Sequence, residues 1–186
     1  MNREWLGLLD QRPIVVAVTG SNGAGKTTFF EAHLADCGLR FVNADVLASA
    51  LGLGPYEGAQ AADIVRRAMV AKGESFVFET VFSDPKGDKL GFLRECAEQG
   101  YRVIVIFIEI PDHQTSIQRV SMRVAQGGHD IPDDKLEARF PRTRANLEEA
   151  IAKLPCVIVF DNADLSRPYR LRDVYVDGDR VGPSGG

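Results

Sequence analysis

The sequence predicts an α/β fold in which helices cover both faces of a parallel five-stranded sheet. Short apolar segments rich in Val, Ile and Phe alternate with longer helix-like segments, a pattern typical of repeated strand and helix units. The chain has 186 residues, which suits one compact domain but not two. We therefore expect residues 1–186 to form a single domain.

The apolar runs and the helical periodicity place the individual elements. Strands are predicted at 13–19, 40–43, 75–80, 102–109 and 155–160. Helices are predicted at 25–36, 57–72, 86–99, 112–126 and 133–153, the last broken near Pro141 because proline lacks a backbone donor. The tail alternates apolar and polar residues around Asp177-Gly178-Asp179, which indicates a terminal hairpin or an edge extension of the sheet.

Composition excludes several classes of partner. The formal net charge is −4, so neither nucleic acid nor an anionic membrane surface is an expected partner. The three cysteines, Cys37, Cys96 and Cys156, lack the spacing of a zinc site or a disulfide framework. No run of about 18 apolar residues occurs. These features predict a cytoplasmic protein with no membrane segment.

One motif carries a specific chemical meaning. Residues 20–27 match G-x-x-x-x-G-K-[ST], the P-loop pattern, and lie between a predicted strand and a predicted helix. In such a loop, backbone N–H groups surround phosphate oxygens, Lys26 reaches the β and γ phosphates, and the Thr27 hydroxyl takes one position on Mg²⁺. We therefore expect ATP and Mg²⁺ as cofactors. The expected nucleotide-binding residues are Gly20, Ser21, Asn22, Gly23, Ala24, Gly25, Lys26, Thr27 and Thr28.

Polar residues end the second and third predicted strands. The second strand runs into Asn43 and Asp45, and the third ends in Glu79 and Thr80. Because the carboxyl ends of parallel strands line one crevice, these side chains are predicted to face the acceptor beside Lys26. Asp45 is either a base for an acceptor hydroxyl, a water-mediated metal contact or a helix N-cap. Glu79 is either a metal-side carboxylate or an acceptor-binding one.

Arginines cluster beyond the fourth strand. Arg119 and Arg123 share one face of a predicted helix, and Arg139, Arg142 and Arg144 follow after a Gly-Gly joint. Guanidinium groups suit the charge of a transferring phosphoryl group. We therefore predict a helical, arginine-bearing lid at about 112–145, with His129 in its joint as a candidate substrate contact. No N-K-x-D or L-S-G-G-Q motif supports a GTPase or an ABC-type ATPase.

Several stretches together resemble the zeta-toxin-like P-loop kinases, including the branch labelled as predicted ABC-type ATPases. They are, in order, "GSNGAGKTT", "FVNADVLA", "GESFVFETVFS", "GYRVIVIFI", "RVSMRVAQGGHDIP", "RFPRTRANL" and "VFDNAD". The resemblance implies a fold similar to shikimate and nucleotide kinases. It also implies phosphorylation of a sugar hydroxyl of UDP-N-acetylglucosamine.

The resemblance also implies roles for individual residues. Lys26 and Thr27 would hold ATP and Mg²⁺, and Asp45 would deprotonate the acceptor hydroxyl. Arg119 and Arg123 would neutralise the transferred phosphate. Glu79 and Thr80 would lie on the acceptor side, and Asn162 near the adenine. Apart from the resemblance, we also expect Asn43, Arg139 and Arg142 to contact the acceptor. One departure is Ala48, where the toxin motif N-A-D-x-x-R has arginine.

The sequence therefore predicts a Mg²⁺-dependent kinase that transfers the γ-phosphate of ATP to a hydroxyl of a small molecule, most simply a nucleotide sugar. A small antitoxin protein is an implied partner. Two alternatives stay open: a regulatory nucleotide-binding ATPase module, and a housekeeping kinase of another small metabolite.

Overall fold

The structure is a computed structural model that describes residues 4–128 and 130–183. Its centre is a seven-stranded mixed sheet in the order β2-β3-β1-β4-β5-β6-β7. The strands are β1 (Ile14–Thr19), β2 (Arg40–Val42), β3 (Phe76–Thr80), β4 (Arg102–Glu109), β5 (Cys156–Asp161), β6 (Arg170–Val176) and β7 (Asp179–Gly182).

The prediction of a five-stranded parallel sheet is wrong in strand number and in direction. Strands β1 to β5 lie where the sequence predicts them and pair in parallel. Strands β6 and β7 extend the sheet beyond β5 as antiparallel strands. The predicted terminal hairpin is confirmed, with Asp177 and Gly178 at positive φ in its turn. This hairpin joins the main sheet, which makes the sheet mixed.

The helices are α1 (Lys26–His33), α2 (Ala44–Leu51), α3 (Pro55–Ala71), α4 (Asp88–Glu98), α5 (His113–Ala125) and α6 (Asp133–Lys153). Short 3-10 helices occupy Glu4–Asp10 and Ala35–Cys37. Helix α2 was not predicted, because its eight residues are too few to give a periodic signal.

The expected break at Pro141 does not occur, since α6 continues through it. Buried residues lie on both sides of the proline: Leu136 before it, and Thr143, Leu147 and Ala150 after it. Packing of both halves against the domain therefore outweighs the roughly 3 kcal/mol that an internal proline costs.

The core lies on both faces of the sheet. Val15 and Ala17 of β1 belong to one hydrophobic cluster, and Ile14, Val16 and Val18 belong to the other. Every residue of β1 is buried, as expected for a central strand covered on both sides. The carboxyl end of β1, which leads into residues 20–25, therefore sits on a rigid base.

Within the described ranges, no helix has both the length and the apolar composition needed to cross a membrane.

Candidate active site

The loop after β1 requires glycine where neighbouring groups approach it closely. Gly20 has φ 139°, and a Cβ atom there would lie 2.4 Å from the Ile108 carbonyl oxygen. Gly25 has φ 91°, and a Cβ atom there would lie 2.8 Å from the Tyr169 hydroxyl. Any side chain at either position would displace the loop.

Three side chains from outside the loop hold its carbonyl groups. Ser116 Oγ donates to the Asn22 carbonyl at 2.7 Å, and Asn162 Nδ2 donates to the Ala24 carbonyl at 2.8 Å. The Tyr169 hydroxyl donates to the Gly25 carbonyl at 2.9 Å. These contacts fix the loop shape through the protein itself. Ser116 and Tyr169 were missed by sequence reasoning, because they lie far along the chain and match no local motif.

Lys26 begins helix α1 and is only 6% exposed. Its Nζ donates to the Ser21 carbonyl at 2.9 Å, which folds the side chain back over the loop. Burial lowers the pKa of Lys26; the carboxylates of Glu79 and Asp45 oppose this shift, and Arg123 adds to it. A buried ammonium group beside a glycine loop is a strong attractant for phosphate.

Glu79 connects the loop to the neighbouring strand ends. Thr27 Oγ1 donates to Glu79 Oε2 at 2.8 Å, and Asn43 Nδ2 donates to the same oxygen at 2.9 Å. Asn43 Oδ1 in turn accepts the backbone N–H groups of Asp45 and Val46, at 2.8 and 3.2 Å. A continuous set of hydrogen bonds therefore runs from the glycine loop to the start of α2.

Asp45 lies in the first turn of α2 and is exposed. The helix N-cap is Asn43, so the alternative interpretation of Asp45 as the N-cap is wrong. The carboxylate of Asp45 is consequently not occupied by capping. Asp45, Glu79 and Thr80 all line one cavity of about 660 Å³.

The cavity carries a local excess of positive charge. Among the described residues that line it, six are cationic and four are acidic. The cationic residues are Arg66, Lys89, Arg123, Lys135, Arg139 and Arg142, and the acidic ones are Asp45, Glu79, Asp84 and Asp130. Arg66 and Lys89 were missed by sequence reasoning, because a single basic residue on a helix usually indicates a solvent-exposed side chain.

The predicted lid arginines differ in what they contact. Arg123, Arg139 and Arg142 line the cavity, and Arg142 Nε also donates to the Ser83 carbonyl at 3.1 Å. Arg119 instead donates to the carbonyls of Asn162 and Ala163, at 2.9 and 3.1 Å. Arg144 pairs with Glu109 at 2.7 Å. The geometry therefore brings Arg123, Arg139 and Arg142 to the cavity, and holds Arg119 against the loop after β5.

Other predicted nucleotide contacts are placed as follows. Thr28 is exposed in the first turn of α1, one residue beyond Thr27. Asn162 is 2% exposed, and its amide supports the glycine loop at Ala24. His129 lies outside the described residues.

Position 48 has a structural reason to be small. Ala48 is buried in α2, and a Cβ atom on Gly58 of α3 would lie only 2.6 Å from the Ala48 Cβ. The two helices therefore touch at this point. An arginine at position 48 would require α3 to move. The close packing of α2 on α3 therefore explains why this chain has alanine where the toxin motif has arginine.

A metal ion at this site would depend on few protein ligands. Over residues 4–128 and 130–183, no group of three or more His, Cys, Asp or Glu side chains is arranged to hold a metal. The Thr27 hydroxyl and the Glu79 carboxylate are nevertheless adjacent oxygen donors, as Mg²⁺ prefers. Mg²⁺ bound beside a nucleotide typically uses one or two such groups, with phosphate oxygens and water completing its shell.

A comparison with protein families identifies the chain. The model of the family described as zeta toxin matches residues 57–173, more than half of the sequence. The chain belongs to the zeta toxin family. The match begins after the glycine loop and extends from helix α3 into strand β6.

Solved structures share the fold at low sequence identity. The AvrRxo1-ORF1:-ORF2 structure with ATP has a TM-score of 0.72 at 19% identity, covering 97% of this chain and 64% of that chain. This chain therefore spans less than two thirds of that protein. A chain of the PezAT toxin-antitoxin system of Streptococcus pneumoniae has a TM-score of 0.59 at 16% identity, covering 82% of this chain and 69% of that one.

A gluconokinase from Sinorhizobium meliloti 1021 has a TM-score of 0.51 at 20% identity, covering 83% of this chain and 85% of that one. At these identities the likeness establishes a shared α/β fold. No curated protein sequence matches the chain.

Proposed function

We propose that this zeta toxin family member is a phosphotransferase, acting as one kinase domain, that moves the γ-phosphate of ATP to an acceptor hydroxyl. The acceptor would bind in the 660 Å³ cavity. The observation that carries the proposal is the hydrogen-bonded path from Thr27 through Glu79 to Asn43 and the backbone of Asp45. This path fixes the Thr27 hydroxyl relative to the backbone of the residue that carries the proposed base, which would help to align the groups for in-line transfer.

Lys26 and the glycine loop would hold the phosphates of ATP. Residues 20–25 present a turn shaped from outside by Ser116, Asn162 and Tyr169. Lys26 would leave the Ser21 carbonyl to contact the β and γ phosphates. Thr28 would contact the nucleotide from the same turn of α1, and Asn162 would act on it by supporting the loop.

Thr27 and Glu79 would hold Mg²⁺, directly or through water, and the bound ion would offset charge on the β and γ phosphates. Their 2.8 Å hydrogen bond places two oxygen donors side by side. Glu79 also accepts a hydrogen bond from Asn43, which supports our assignment of both a metal-side and an acceptor-side role to this carboxylate.

Asp45 would accept the proton of the acceptor hydroxyl as that oxygen attacks the γ-phosphate. Its side chain is exposed, lines the cavity and does not cap the helix. Its negative charge acts on Lys26 and raises the pKa of that ammonium group, beside which the phosphate would lie. A positioned carboxylate in this role contributes about 10²–10⁴-fold in rate. Arg123, Arg139 and Arg142 would offset charge on the transferred group from the other side of the cavity.

The part of the lid that moves would be narrower than 112–145. Ser116 near the start of α5 bonds the glycine loop, and Asn146 in the second half of α6 bonds the Phe82 and Asp84 carbonyls. Both ends of the segment are therefore tied to the core. We assign closure to the end of α5 and the start of α6, and we keep His129 as a proposed substrate contact. In this arrangement Arg119 positions the loop after β5, and Arg123 and Arg139 approach the phosphate.

The acceptor would be a small hydroxylated metabolite, and a nucleotide sugar such as UDP-N-acetylglucosamine is our first candidate. Family membership and the acceptor-side residues Asn43, Glu79 and Thr80 support it. A cytoplasmic location, where ATP and such metabolites occur together, fits this activity. Because the PezAT and AvrRxo1 structures come from two-component complexes, we propose a small antitoxin protein as partner.

The test is a mass-spectrometric screen of nucleotide sugars and a small-molecule cell extract with ATP and Mg²⁺. We expect one compound to gain a phosphoryl group with the wild-type protein and not with Lys26→Ala. ATP binding without any phosphorylated compound would favour the alternative, a regulatory ATPase module. Growth arrest on expression that Lys26→Ala removes would favour a toxin over a housekeeping kinase.

A further inference from the structure

A second cavity lies apart from the one that contains Asp45. Its volume is about 810 Å³, larger than that of the acceptor cavity. Its walls come from the 3-10 helix Glu4–Asp10, from residues between 167 and 174 at the start of β6, and from residues 181–183 at the end of β7. The two cavities share no lining residue. The second cavity therefore has no part in the transfer proposed above.

Most of the wall of this cavity is apolar. Leu8, Leu171 and Val174 pack against the core on one side but stay only half-buried, and Val181 is 62% exposed. Covering such side chains is favourable, because it removes apolar surface from water. The volume also falls within the range of about 300–1,000 Å³ that is typical of pockets for small organic molecules. The cavity therefore suits the apolar part of such a molecule.

The polar side chains at this cavity are donors. Among the described residues that line it, Arg167 and Arg170 are cationic and none is acidic. Arg170 pairs with Asp161 at 2.8 Å, which offsets much of its charge. Arg167 is exposed and forms no ion pair with any described residue, although Asp164 is near enough to interact with it electrostatically. The rim of the cavity therefore favours an anionic group over a cationic one.

Two residues of the wall also support the glycine loop and the helix that follows it. The Tyr169 hydroxyl donates to the Gly25 carbonyl, and the centre of the Trp5 ring lies 6.0 Å from that of Phe29 in α1. Trp5 is 5% exposed, and its Nε1 atom is buried with no hydrogen-bond partner in the described part of the chain. A molecule in this cavity would therefore contact residues that hold the start of α1.

We propose that this cavity binds a small amphipathic anion, a molecule with an apolar chain or ring and one anionic head group. The head group would lie at Arg167, and the apolar part would cover Leu171, Val174 and Val181. A ligand of this class uses both the apolar wall and the positive rim, whereas a cation with the same apolar part would be repelled there. This site goes beyond the proposed phosphotransferase activity and does not depend on it.

The fluorescence of Trp5 tests the site directly, because Trp5 lines the cavity and is the only tryptophan of the chain. The protein is kept with saturating Mg²⁺ and a non-hydrolysable ATP analogue, so that decanoate does not enter the nucleotide site. Decanoate is titrated below its micelle-forming concentration, and decyltrimethylammonium is titrated as a cation of the same chain length. We expect a saturable change in Trp5 emission with decanoate and about tenfold weaker binding of the cation.

Arg167→Met tests the contact with the head group. It should lower the preference for decanoate over the cation by about threefold or more, because it removes a positive charge from the rim. A change that only disturbed the fold would weaken the binding of both compounds and leave their ratio unchanged.

Val181→Asp tests the apolar wall. It should weaken decanoate binding about tenfold or more, because it replaces an apolar contact by a carboxylate. Ile64→Asp is the matched control, since Ile64 is 69% exposed, lies in α3 and does not line the cavity. Its effect on decanoate binding should stay within about twofold.

The absence of a saturable change in Trp5 emission overturns the proposal. Equal or tighter binding of the cation by wild type also overturns it, as does an unchanged preference in Arg167→Met. Equal loss of decanoate binding in Val181→Asp and Ile64→Asp would remove the ligand from this cavity. None of these measurements requires turnover, so their outcome is separate from that of the phosphorylation screen.

Discussion

At the scale of the residue, Glu79 connects the glycine-loop side of the candidate site to the end of strand β2. Its Oε2 atom accepts hydrogen bonds from Thr27 and Asn43, which belong to different elements on either side of β3. Replacing the carboxylate by an amide would keep the shape of the side chain but remove the charge that a divalent cation needs.

We predict that Glu79→Gln raises the Mg²⁺ concentration needed for half-maximal phosphorylation by about 10- to 100-fold, the usual cost of disturbing a metal site. The measurement is a Mg²⁺ titration of activity. Glu74→Gln is the matched control, because Glu74 lies near the start of the same strand in a surface ion pair with Arg40. An unchanged Mg²⁺ requirement in Glu79→Gln would remove Glu79 from the metal site.

Lys26 gives a second prediction at this scale, concerning pH. Because burial lowers the pKa of Lys26, its ammonium loses the proton at a lower pH than a free lysine does. Phosphate favours the charged form, so ATP affinity should fall and binding should take up protons as the pH rises through the lowered pKa. Calorimetry of ATP binding in buffers of different ionisation enthalpy measures this uptake.

The side chain of Lys26→Arg stays charged over this pH range, so its ATP affinity should not fall in this way. Lys26→Ala has no ammonium group to titrate, so its ATP binding should also lose this pH dependence. Proton uptake of the same size in wild type and Lys26→Ala would show that another group is responsible.

At the scale of the element, the contact between α2 and α3 positions Asp45. Gly58 of α3 lies so close to α2 that an added Cβ would be 2.6 Å from the Ala48 Cβ and 2.8 Å from the Ala44 carbonyl oxygen. Ala44 begins the helix that carries Asp45 in its first turn. Anything that separates the two helices should therefore move the proposed base.

We predict that Gly58→Ala lowers the free energy of unfolding by about 1–2 kcal/mol, because overpacking outweighs the gain in helix propensity. Acceptor phosphorylation should fall with it. Gly91→Ala in α4 is the matched control, since a Cβ there meets nothing within 4 Å. It should raise stability by up to about 1 kcal/mol and leave activity unchanged. Urea unfolding of both variants tests this pair, and a stabilised Gly58→Ala would contradict the packing argument.

The elements also show where sequence reasoning succeeds and fails. The five parallel strands were placed to within two residues, because buried strands are continuous apolar runs bounded by turns. Helix α2 was missed because eight residues carry little periodicity, and the break at Pro141 was wrong because packing on both sides overrides a local rule. The direction of β6 and β7 depends on long-range pairing with β5, which no local pattern encodes.

At the scale of the whole molecule, charge is unevenly distributed. The chain carries a formal net charge of −4, whereas the described residues that line the cavity include two more cationic than acidic side chains. An anionic nucleotide and an anionic acceptor would be attracted to this one face of an otherwise acidic protein. The sequence indicated the glycine loop, Asp45 and Glu79, because strand ends converge on one edge of a parallel sheet. It could not indicate Arg66 and Lys89 at the cavity or Ser116 and Tyr169 at the glycine loop, because their positions depend on contacts between distant segments.

The most direct test of phosphoryl transfer with Asp45 as base follows the γ-phosphate of radiolabelled ATP in a single turnover with small-molecule extract. Wild type is compared with Asp45→Asn. We predict that wild type transfers the label to an organic phosphate ester. Asp45→Asn should bind ATP equally well but transfer the label about 10²–10⁴-fold more slowly. Label that appears only as inorganic phosphate, at the same rate in both proteins, would contradict an acceptor kinase with Asp45 as its base.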